Sequence, residues 1–309
     1  RPLALPFVRM RSGTQKLFFP LKNKLFALYL CVELVPASLY VSGAMGQFKW
    51  YTSLLRDDGF TNLSMIKVRR LLGIGLAEMF GVALFLATGC GNLVSTISNS
   101  EPSHINTVLS FALGISSAII IFAPISGCML NPCLNVTWLV MGHMSLVKFV
   151  YYTVFQVIGA YLGVAFIAAV TPDIPEGPPG FCTTHPNPDV TTSQAFAVEF
   201  FLGFFLSLCL CHVLDKRASQ QHGLVFAKFA VLVVALALPL GKYEGGSANP
   251  ARSLGPALLS GDWNDQWLYW TAPNFGAAFA AVIYRAFFDA PIFEDVDSDG
   301  KTREVDATI

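Results

Sequence analysis

The sequence has few charged residues and lacks the polar clusters that catalysis or metal binding needs. Only 13% of its 309 residues are Asp, Glu, Lys or Arg, against roughly 25% in soluble domains. Lys plus Arg and Asp plus Glu number 20 each, so no excess positive charge attracts nucleic acid. No zinc-type cysteine spacing, nucleotide-binding loop or nucleophile triad is found. We therefore expect no enzyme, cofactor, metal site or nucleic-acid partner.

Long apolar segments are what the sequence does contain. Hydrophobic residues make up 54% of the chain, and the mean hydropathy is +0.55. About 20 consecutive apolar residues cross the hydrocarbon core of a bilayer as a helix. Six such spans are predicted at about 71–93, 106–126, 147–170, 193–214, 223–241 and 266–288. Most of the seven cysteines fall within apolar runs, which favours a packing role for all except Cys133.

Two short polar stretches interrupt this pattern and resemble each other. In each, small residues lead into an Asn-Pro pair and one further small residue, and the two motifs are Asn131-Pro132-Cys133 and Asn249-Pro250-Ala251. Asn is a strong helix N-cap and Pro is favoured at the first helical position, so each motif predicts a helix start. Both helices are too short to cross a bilayer. They must enter and return, buried in protein or lining water.

Glutamates precede the two motifs at matching distances. Glu78 lies 53 residues before Asn131, and Glu199 lies 50 residues before Asn249. The spacing marks an internal repeat, and two interrupted apolar patterns indicate a transport pathway between the repeats. Three spans per repeat place the repeats in opposite orientations, so the half-helices should meet near the bilayer midplane. Their N-terminal N–H groups and positive dipole ends would orient water there and repel cations.

Basic residues and composition divide the chain into three parts. Loops 94–105 and 171–192 contain no Lys or Arg, whereas Lys148 and Arg217 lie on the other side. The positive-inside rule then predicts cytoplasmic ends for the six-span module. The parts are an N-terminal extension at 1–66, a channel module at 67–290 with repeats at about 71–170 and 193–288, and an acidic tail at 291–309 that we expect to be disordered. An apolar segment at 25–48 in the extension is read as an extra span, a signal-like segment or sequence outside the module.

Over about residues 68–290, these features resemble the aquaporin family, the major intrinsic proteins. The resemblance rests on the two Asn-Pro motifs in inverted repeats and on Ala251-Arg252-Ser253. It implies an all-α membrane protein with six tilted transmembrane helices and two re-entrant half-helices. It also implies a homotetramer, in the plasma membrane, with one pore per subunit. Two departures from the family pattern are Cys133, where Ala is usual, and Met129, where His is common.

Carried over by position, the family's selectivity constriction falls on Phe111, Ala237, Gly246 and Arg252. Water-selective members have His where this chain has Ala237. The missing imidazole widens the ring and leaves Phe111 as an apolar wall opposite Arg252, which suits a small polyol. Ser253 matches the water-type branch, and the combination resembles the insect entomoglyceroporins. The resemblance therefore implies water, glycerol and urea as permeants.

Several alternatives stay open at this stage. Glu78 and Glu199 are either proton-relay carboxylates or, as the family implies, acceptors for backbone N–H groups of the re-entrant loops. Cys133 either packs or tunes conductance. A structural or adhesion protein with a closed pore would keep the same fold. A secondary transporter is a third function, because inverted repeats build those too, although more ionisable residues near the midplane would be expected.

Overall fold

In the computed structural model, the described part of the chain folds into a series of helices followed by a short pair of strands. The structure describes residues 58–61, 63–94, 102–174, 177, 179–288, 293–296 and 302–305. All of them belong to one compact unit of the chain, Lys49–Ile309. The apolar segment at 25–48 lies outside the described residues.

Eight α-helices follow one another in the described part of the chain. They are α1 (Met65–Gly91), α2 (His104–Ser126), α3 (Pro132–Val140), α4 (Leu146–Val170), α5 (Thr192–Leu214), α6 (Val225–Glu244), α7 (Pro250–Ser260) and α8 (Gln266–Ile283). A 3-10 helix, Lys216–Leu224, joins α5 to α6, and a π-helical turn, Tyr284–Phe288, extends α8. The half-helices α3 and α7 begin at the prolines of the two motifs, as predicted.

Five of these helices, α1, α2, α4, α5 and α6, are long and apolar enough to cross a membrane. The sixth predicted span corresponds to α8, whose 18 residues include Gln266, Pro273 and Asn274. Its lower hydropathy reflects these polar residues, and it packs along α5. The six long helices thus follow the predicted order.

Local sequence explains where the helices begin and end. The hydroxyls of Ser64 and Ser145 accept the N–H groups of Lys67 and Lys148, which caps α1 and α4. Thr191 and Gln194 form a reciprocal capping box at α5. The helices that lead into the two motif loops, α2 and α6, both stop at a left-handed glycine, as glycine tolerates a positive φ.

The packing of the helices follows the inverted repeat. Helix α1 contacts α2 and α4, and α5 contacts α6 and α8. Each half-helix crosses to the other repeat, so that α3 packs on α8 and α7 packs on α4. Gly159 and Gly276 permit the closest approaches, since a Cβ at either position would collide with the backbone of Met79 or Phe200. The two halves are therefore interlocked through their half-helices.

The exterior of the molecule is apolar and its interior holds polar groups. Large apolar side chains such as Leu113, Phe166 and Val231 are more than half exposed on the long helices. Glu78 and Glu199, by contrast, are completely buried. Large exposed apolar side chains together with completely buried carboxyl groups match a lipid-facing surface around an interior that contains polar sites.

A disulfide corrects one expectation from the sequence. Cys90, near the end of α1, is bonded to Cys182 in the connection between α4 and α5. The predicted packing role is wrong for these two residues. They lie 92 positions apart in the chain, and the parallel packing of α1 on α4, which places the C-terminal ends of the two helices at the same face, brings them together. Cys128, Cys133 and two further cysteines of α5 are free thiols.

The tail also differs from expectation. Strands β1 (Phe293–Val296) and β2 (Thr302–Val305) pair antiparallel, with Asp295 opposite Arg303. Phe, Val and Thr favour extended backbone, and an opposite-charge pair across the strands adds to it. The acidic composition that suggested disorder is therefore offset locally by β-forming residues at both ends of each strand.

Candidate functional site

The two motif asparagines cap their own half-helices. Oδ1 of Asn131 accepts the N–H of Cys133 at 2.8 Å. Oδ1 of Asn249 accepts the N–H groups of Ala251 at 3.0 Å and Arg252 at 3.2 Å. Each asparagine thereby satisfies helix-end donors that would otherwise lie unpaired in the interior of the protein.

The same asparagines join the two half-helices tip to tip. Nδ2 of Asn131 donates to the carbonyl oxygen of Ala248 at 2.9 Å. Nδ2 of Asn249 donates to the carbonyl oxygen of Leu130 at 2.9 Å. An amide nitrogen has two hydrogens, so each asparagine has a second N–H beyond the one used in the cross-link. The loops from the two repeats thus meet at one point inside the molecule.

Backbone geometry at this point is unusual. Leu130 and Ala248, the residues just before the two asparagines, have φ of 56° and 49°. Three residues before the asparagines, Cys128 and Gly246 are also left-handed, with φ of 55° and 62°. A left-handed non-glycine residue costs roughly 1–2 kcal/mol. Such a conformation persists only where surrounding contacts hold it in place.

Glu78 supplies those contacts in the first repeat. Its Oε1 accepts from the Ser126 hydroxyl at 2.6 Å and from the Met129 N–H at 3.1 Å. Its Oε2 accepts from the Leu130 N–H at 2.9 Å and from Nε2 of Gln156 at 2.8 Å. Both carboxylate oxygens of Glu78 are therefore engaged, and each accepts one backbone N–H of the loop.

Glu199 has the corresponding position in the second repeat, and a further glutamate accompanies it. Oε1 of Glu199 accepts from the N–H groups of Ser247 at 2.9 Å and Ala248 at 3.0 Å. Oε2 of Glu244 accepts from the Gly246 N–H at 3.0 Å. Oε2 of Glu244 is also within 3.4 Å of the Ser247 N–H, so both carboxyl groups accept from the same loop. Glu244 was missed from the sequence because it ends an apolar helix with no counterpart glutamate in the first repeat.

Arg252 lies against the aromatic residue of the second span. Its guanidinium carbon is 4.9 Å from the ring centroid of Phe111. Its Nη1 donates to the carbonyl oxygen of Cys182 at 2.7 Å. Because Cys182 is tied to Cys90, the disulfide holds in place the loop that carries this acceptor. Arg252 is therefore positioned by a backbone carbonyl and an aromatic face.

These groups surround one cavity. Its volume is about 380 Å³. Its lining includes both motif asparagines and all four residues assigned to the constriction, namely Asn131, Asn249, Phe111, Ala237, Gly246 and Arg252. Apolar side chains, among them Leu206 and Val233, also line it. The cavity is thus amphipathic, with donors on one part of its wall and hydrocarbon on another.

Other predicted site residues lie outside the cavity lining. Pro132, Pro250 and Ala251 are buried at the first turns of their half-helices. The Sγ of Cys133 points to the carbonyl oxygen of Pro273 at 3.3 Å. Of the two roles left open for Cys133, its contacts fit packing between helices.

Sequence reasoning also missed residues of the loop over the cavity and of the start of α2. Thr183 and His104 line the cavity. Nε2 of His104 donates to the carbonyl oxygen of Leu238, next to Ala237, at 2.9 Å. A signal existed for Cys182, because it stands in a polar loop rather than in an apolar run. His104 could not have been placed at the cavity from the sequence, because it has no characteristic distance along the chain from either motif.

Two re-entrant helices that meet over an interior cavity, inside six lipid-facing helices, define a transmembrane channel. The family model of the major intrinsic proteins matches residues 65–284. The chain belongs to the major intrinsic protein family. Members of this family are channels and not enzymes, so this chain is an integral membrane channel protein.

Relatives and solved structures agree with this assignment. Aquaporin-2 of Ovis aries is 33% identical over 214 residues, covering 68% of this chain and 76% of that protein. Aquaporin-4 of Mus musculus is 30% identical over 215 residues, covering 69% and 66%. The aquaglyceroporin from Plasmodium falciparum has a similar structure, with a TM-score of 0.62 and 20% identity over 71% of this chain and 97% of that one. At that identity the likeness concerns the fold alone.

Proposed function

We propose that this chain conducts water, glycerol and urea passively and excludes protons and ions. One observation carries the proposal: Phe111 and Arg252 face the cavity in contact with each other, and Ala237 adds no polar side chain to it. A small polyol has hydroxyls on one side and hydrocarbon on the other. The guanidinium and the aromatic ring offer a matching partner to each side.

Arg252 retains donors for a permeant. A guanidinium has five N–H donors, and one nitrogen, Nη1, is engaged with the Cys182 carbonyl. The remaining donors suit the hydroxyls of glycerol, the oxygen of urea or water. The positive charge also opposes cation entry.

Exclusion of protons would arise at the two asparagines. Two half-helix N-termini point toward each other there, and the second Nδ2–H of Asn131 and of Asn249 can donate to a passing water. A water held through its oxygen turns its hydrogens outward on both sides. Neighbouring waters then point in opposite directions, which interrupts a proton-conducting chain.

Orientation and assembly complete the proposal. Cys182 of the disulfide lies in the connection at 171–192, which like 94–105 contains no Lys or Arg, and disulfides persist on the oxidising side of a membrane. The basic face and both ends of the channel module would then be cytoplasmic in the plasma membrane. Assembly as a homotetramer follows from the family resemblance.

Stopped-flow measurement on proteoliposomes tests the proposed permeants. Purified protein is expected to speed shrinkage in mannitol and to admit glycerol and urea without saturation or ion dependence. Ala237→His should reduce glycerol flux more than water flux, because the imidazole narrows the ring. Ala237→Leu is the matched control for added volume without a polar group.

Other outcomes point to other functions. Equal loss of water and glycerol flux in Ala237→His would contradict the constriction assigned here. No flux from intact oligomers would support a structural protein with a closed pore. Saturable flux that depends on an ion gradient would support a secondary transporter.

A further inference from the structure

A second cavity lies away from the channel, between the starts of α1 and α4. Its volume is about 260 Å³. Three cations line it: Lys67 and Arg70 from the first two turns of α1, and Lys148 from the first turn of α4. Among the described residues that line it, Asp58 is the one carboxylate, so the formal charges of this described lining sum to +2. No residue of the channel cavity is shared with it.

Contacts within the protein hold Lys67 and Lys148 beside this cavity, whereas Arg70 lines it without such a contact. Nζ of Lys148 lies 4.8 Å from the ring centroid of Trp138 and 5.3 Å from that of Tyr152. Nζ of Lys67 donates to the carbonyl oxygen of Thr61 at 3.3 Å, one of the three donors of an ammonium. The guanidinium of Arg70 has no hydrogen-bond or ion-pair partner among the described residues. Its planar fork is suited to two oxygens of one phosphate.

The uncharged polar side chains that line this cavity, the hydroxyls of Tyr151 and Tyr152, are already hydrogen-bonded within the protein. The Tyr151 hydroxyl donates to the carbonyl oxygen of Leu71 at 2.7 Å, and the Tyr152 hydroxyl donates to that of Ser126 at 2.7 Å. Oδ2 of Asp58 accepts the Ser145 N–H at 2.9 Å. The donors without a partner among the described residues belong to two charged groups, the guanidinium of Arg70 and the ammonium of Lys67. An anion is therefore the ligand class that this cavity favours.

The surroundings indicate where such an anion would come from. Leu72, Val147 and Val150, on the same two helix starts, are each more than half exposed. These apolar side chains mark the depth at which acyl chains begin. A ligand with a phosphate and adjacent hydrocarbon would contact both the cations and this surface, as at basic pockets between transmembrane helices.

We propose that the cavity formed by Lys67, Arg70 and Lys148 binds the phosphate headgroup of an anionic phospholipid in the leaflet at this face. By the proposed orientation, that is the cytoplasmic leaflet. The proposal does not depend on which solutes permeate. A lipid there would tie the start of α1 to the start of α4.

Binding to the purified full chain in detergent tests the proposal. Dioctanoyl phosphatidic acid, dioctanoyl phosphatidylcholine and inorganic phosphate are titrated separately and followed by native mass spectrometry. We expect phosphatidic acid to bind with a 1:1 stoichiometry per chain and to be retained far better than the other two. Each basic residue near an anionic lipid contributes roughly fivefold to binding. Arg70→Gln should weaken binding about fivefold, and Lys67→Gln with Arg70→Gln about 30-fold.

Arg69→Gln is the matched control. Arg69 is the exposed neighbour of Arg70 on α1 and does not line the cavity, so the same charge change there should leave binding within about twofold. All variants alter exposed side chains, and water flux with an unchanged elution volume verifies folding. Equal losses for Arg69→Gln and Arg70→Gln would overturn the site. Equal binding of inorganic phosphate would overturn the lipid assignment in favour of a free anion, and equal binding of phosphatidylcholine would overturn charge recognition.

Discussion

The two repeats hold their re-entrant loops through matching hydrogen bonds to backbone carbonyls but through different side chains around the loops. In the first, the Tyr152 hydroxyl donates to the carbonyl oxygen of Ser126, five residues before the motif asparagine. In the second, the Tyr269 hydroxyl donates to that of Glu244, also five residues before its asparagine. The positions correspond although the residues that carry the carbonyls differ. Loop placement therefore depends on backbone contacts that the inverted repeat preserves.

The side chains around the loops show where the repeats diverge. Glu78 is assisted by Ser126 and Gln156, which are both neutral. Glu199 is assisted by a second carboxyl group, that of Glu244, which accepts from the N–H groups of Gly246 and Ser247. The second loop leads into a half-helix that carries the buried cation Arg252, whereas the half-helix after the first loop carries no cation, and nearby negative charge stabilises a buried cation. The second repeat therefore buries three ionisable side chains around its loop, those of Glu199, Glu244 and Arg252, where the first repeat buries Glu78.

The largest effect is expected from removing the loop glutamates. Glu78→Ala leaves the N–H groups of Met129 and Leu130 unpaired, and each buried unpaired group costs about 1–3 kcal/mol. We expect a loss of about 3–5 kcal/mol in unfolding free energy. Glu199→Ala should cost about 1–2 kcal/mol less, because Glu244 still accepts from two loop N–H groups.

Unfolding in detergent, followed by intrinsic fluorescence, measures both variants. Glu78→Gln, which keeps one acceptor oxygen, is the control and should lose about half as much. Equal destabilisation by Glu78→Ala and Glu199→Ala would show that Glu244 gives the second loop no support.

The next effect concerns the disulfide between Cys90 and Cys182. Cys90→Ser should lower the unfolding free energy by about 2–4 kcal/mol and free the loop whose carbonyl accepts from Arg252. We expect less discrimination between glycerol and larger polyols in flux assays. Cys209→Ser, a change at a free thiol of α5, is the control. Unchanged discrimination in Cys90→Ser would mean that Arg252 is held without the bridge.

The matched tyrosines allow a direct comparison of the two halves. Tyr152→Phe and Tyr269→Phe each remove one buried hydrogen bond to a backbone carbonyl, worth about 1 kcal/mol. Equal shifts in unfolding midpoint are expected. A loss in one variant several times that in the other would show that the two loops are not equivalently supported.

The smallest effect is a pH dependence at the end of α5. There the Asp215 carboxylate accepts from the Tyr284 hydroxyl at 2.7 Å and from Nε of Arg217 at 2.9 Å. The hydrogen bond from Arg217 lowers the pKa of Asp215 below its usual value, and the one from Tyr284 adds to this. Because the folded-state pKa is depressed, this contribution is complete above about pH 4 and is lost as the pH falls further.

Asp215→Asn should therefore cost about 1 kcal/mol or less at pH 7, where the pair is charged and partly exposed. The difference between the variant and the parent should shrink as the pH falls toward 3. Unfolding midpoints at pH 3 and pH 7 measure this. A difference that stays constant between the two would contradict an ionised Asp215 as the stabilising species.

Much of the fold followed from local pattern. The long helices and both half-helices were predictable, because their signals lie close together in the sequence. These signals are runs of about 20 apolar residues, glycines at helix ends and Asn-Pro pairs at helix starts. Glu78 and Glu199 were identified because each lies at a similar distance before the Asn-Pro motif of its own repeat. The tail was misjudged, since its strand pairing depends on the register of Asp295 and Arg303 rather than on composition.

By itself, the sequence determined the class of protein: apolar spans, repeated Asn-Pro motifs and an arginine after the second of them specify an inverted-repeat membrane channel. Only the tertiary structure decided the Cys90–Cys182 bond and the carbonyl that holds Arg252. It likewise decided that Glu199 and Glu244 hold the same loop and that Lys67 and Lys148, from separate helices, line one cavity. The reason is physical: helix starts and spans are local, whereas these groupings join residues that are far apart in the sequence and that only the packing of the helices brings together.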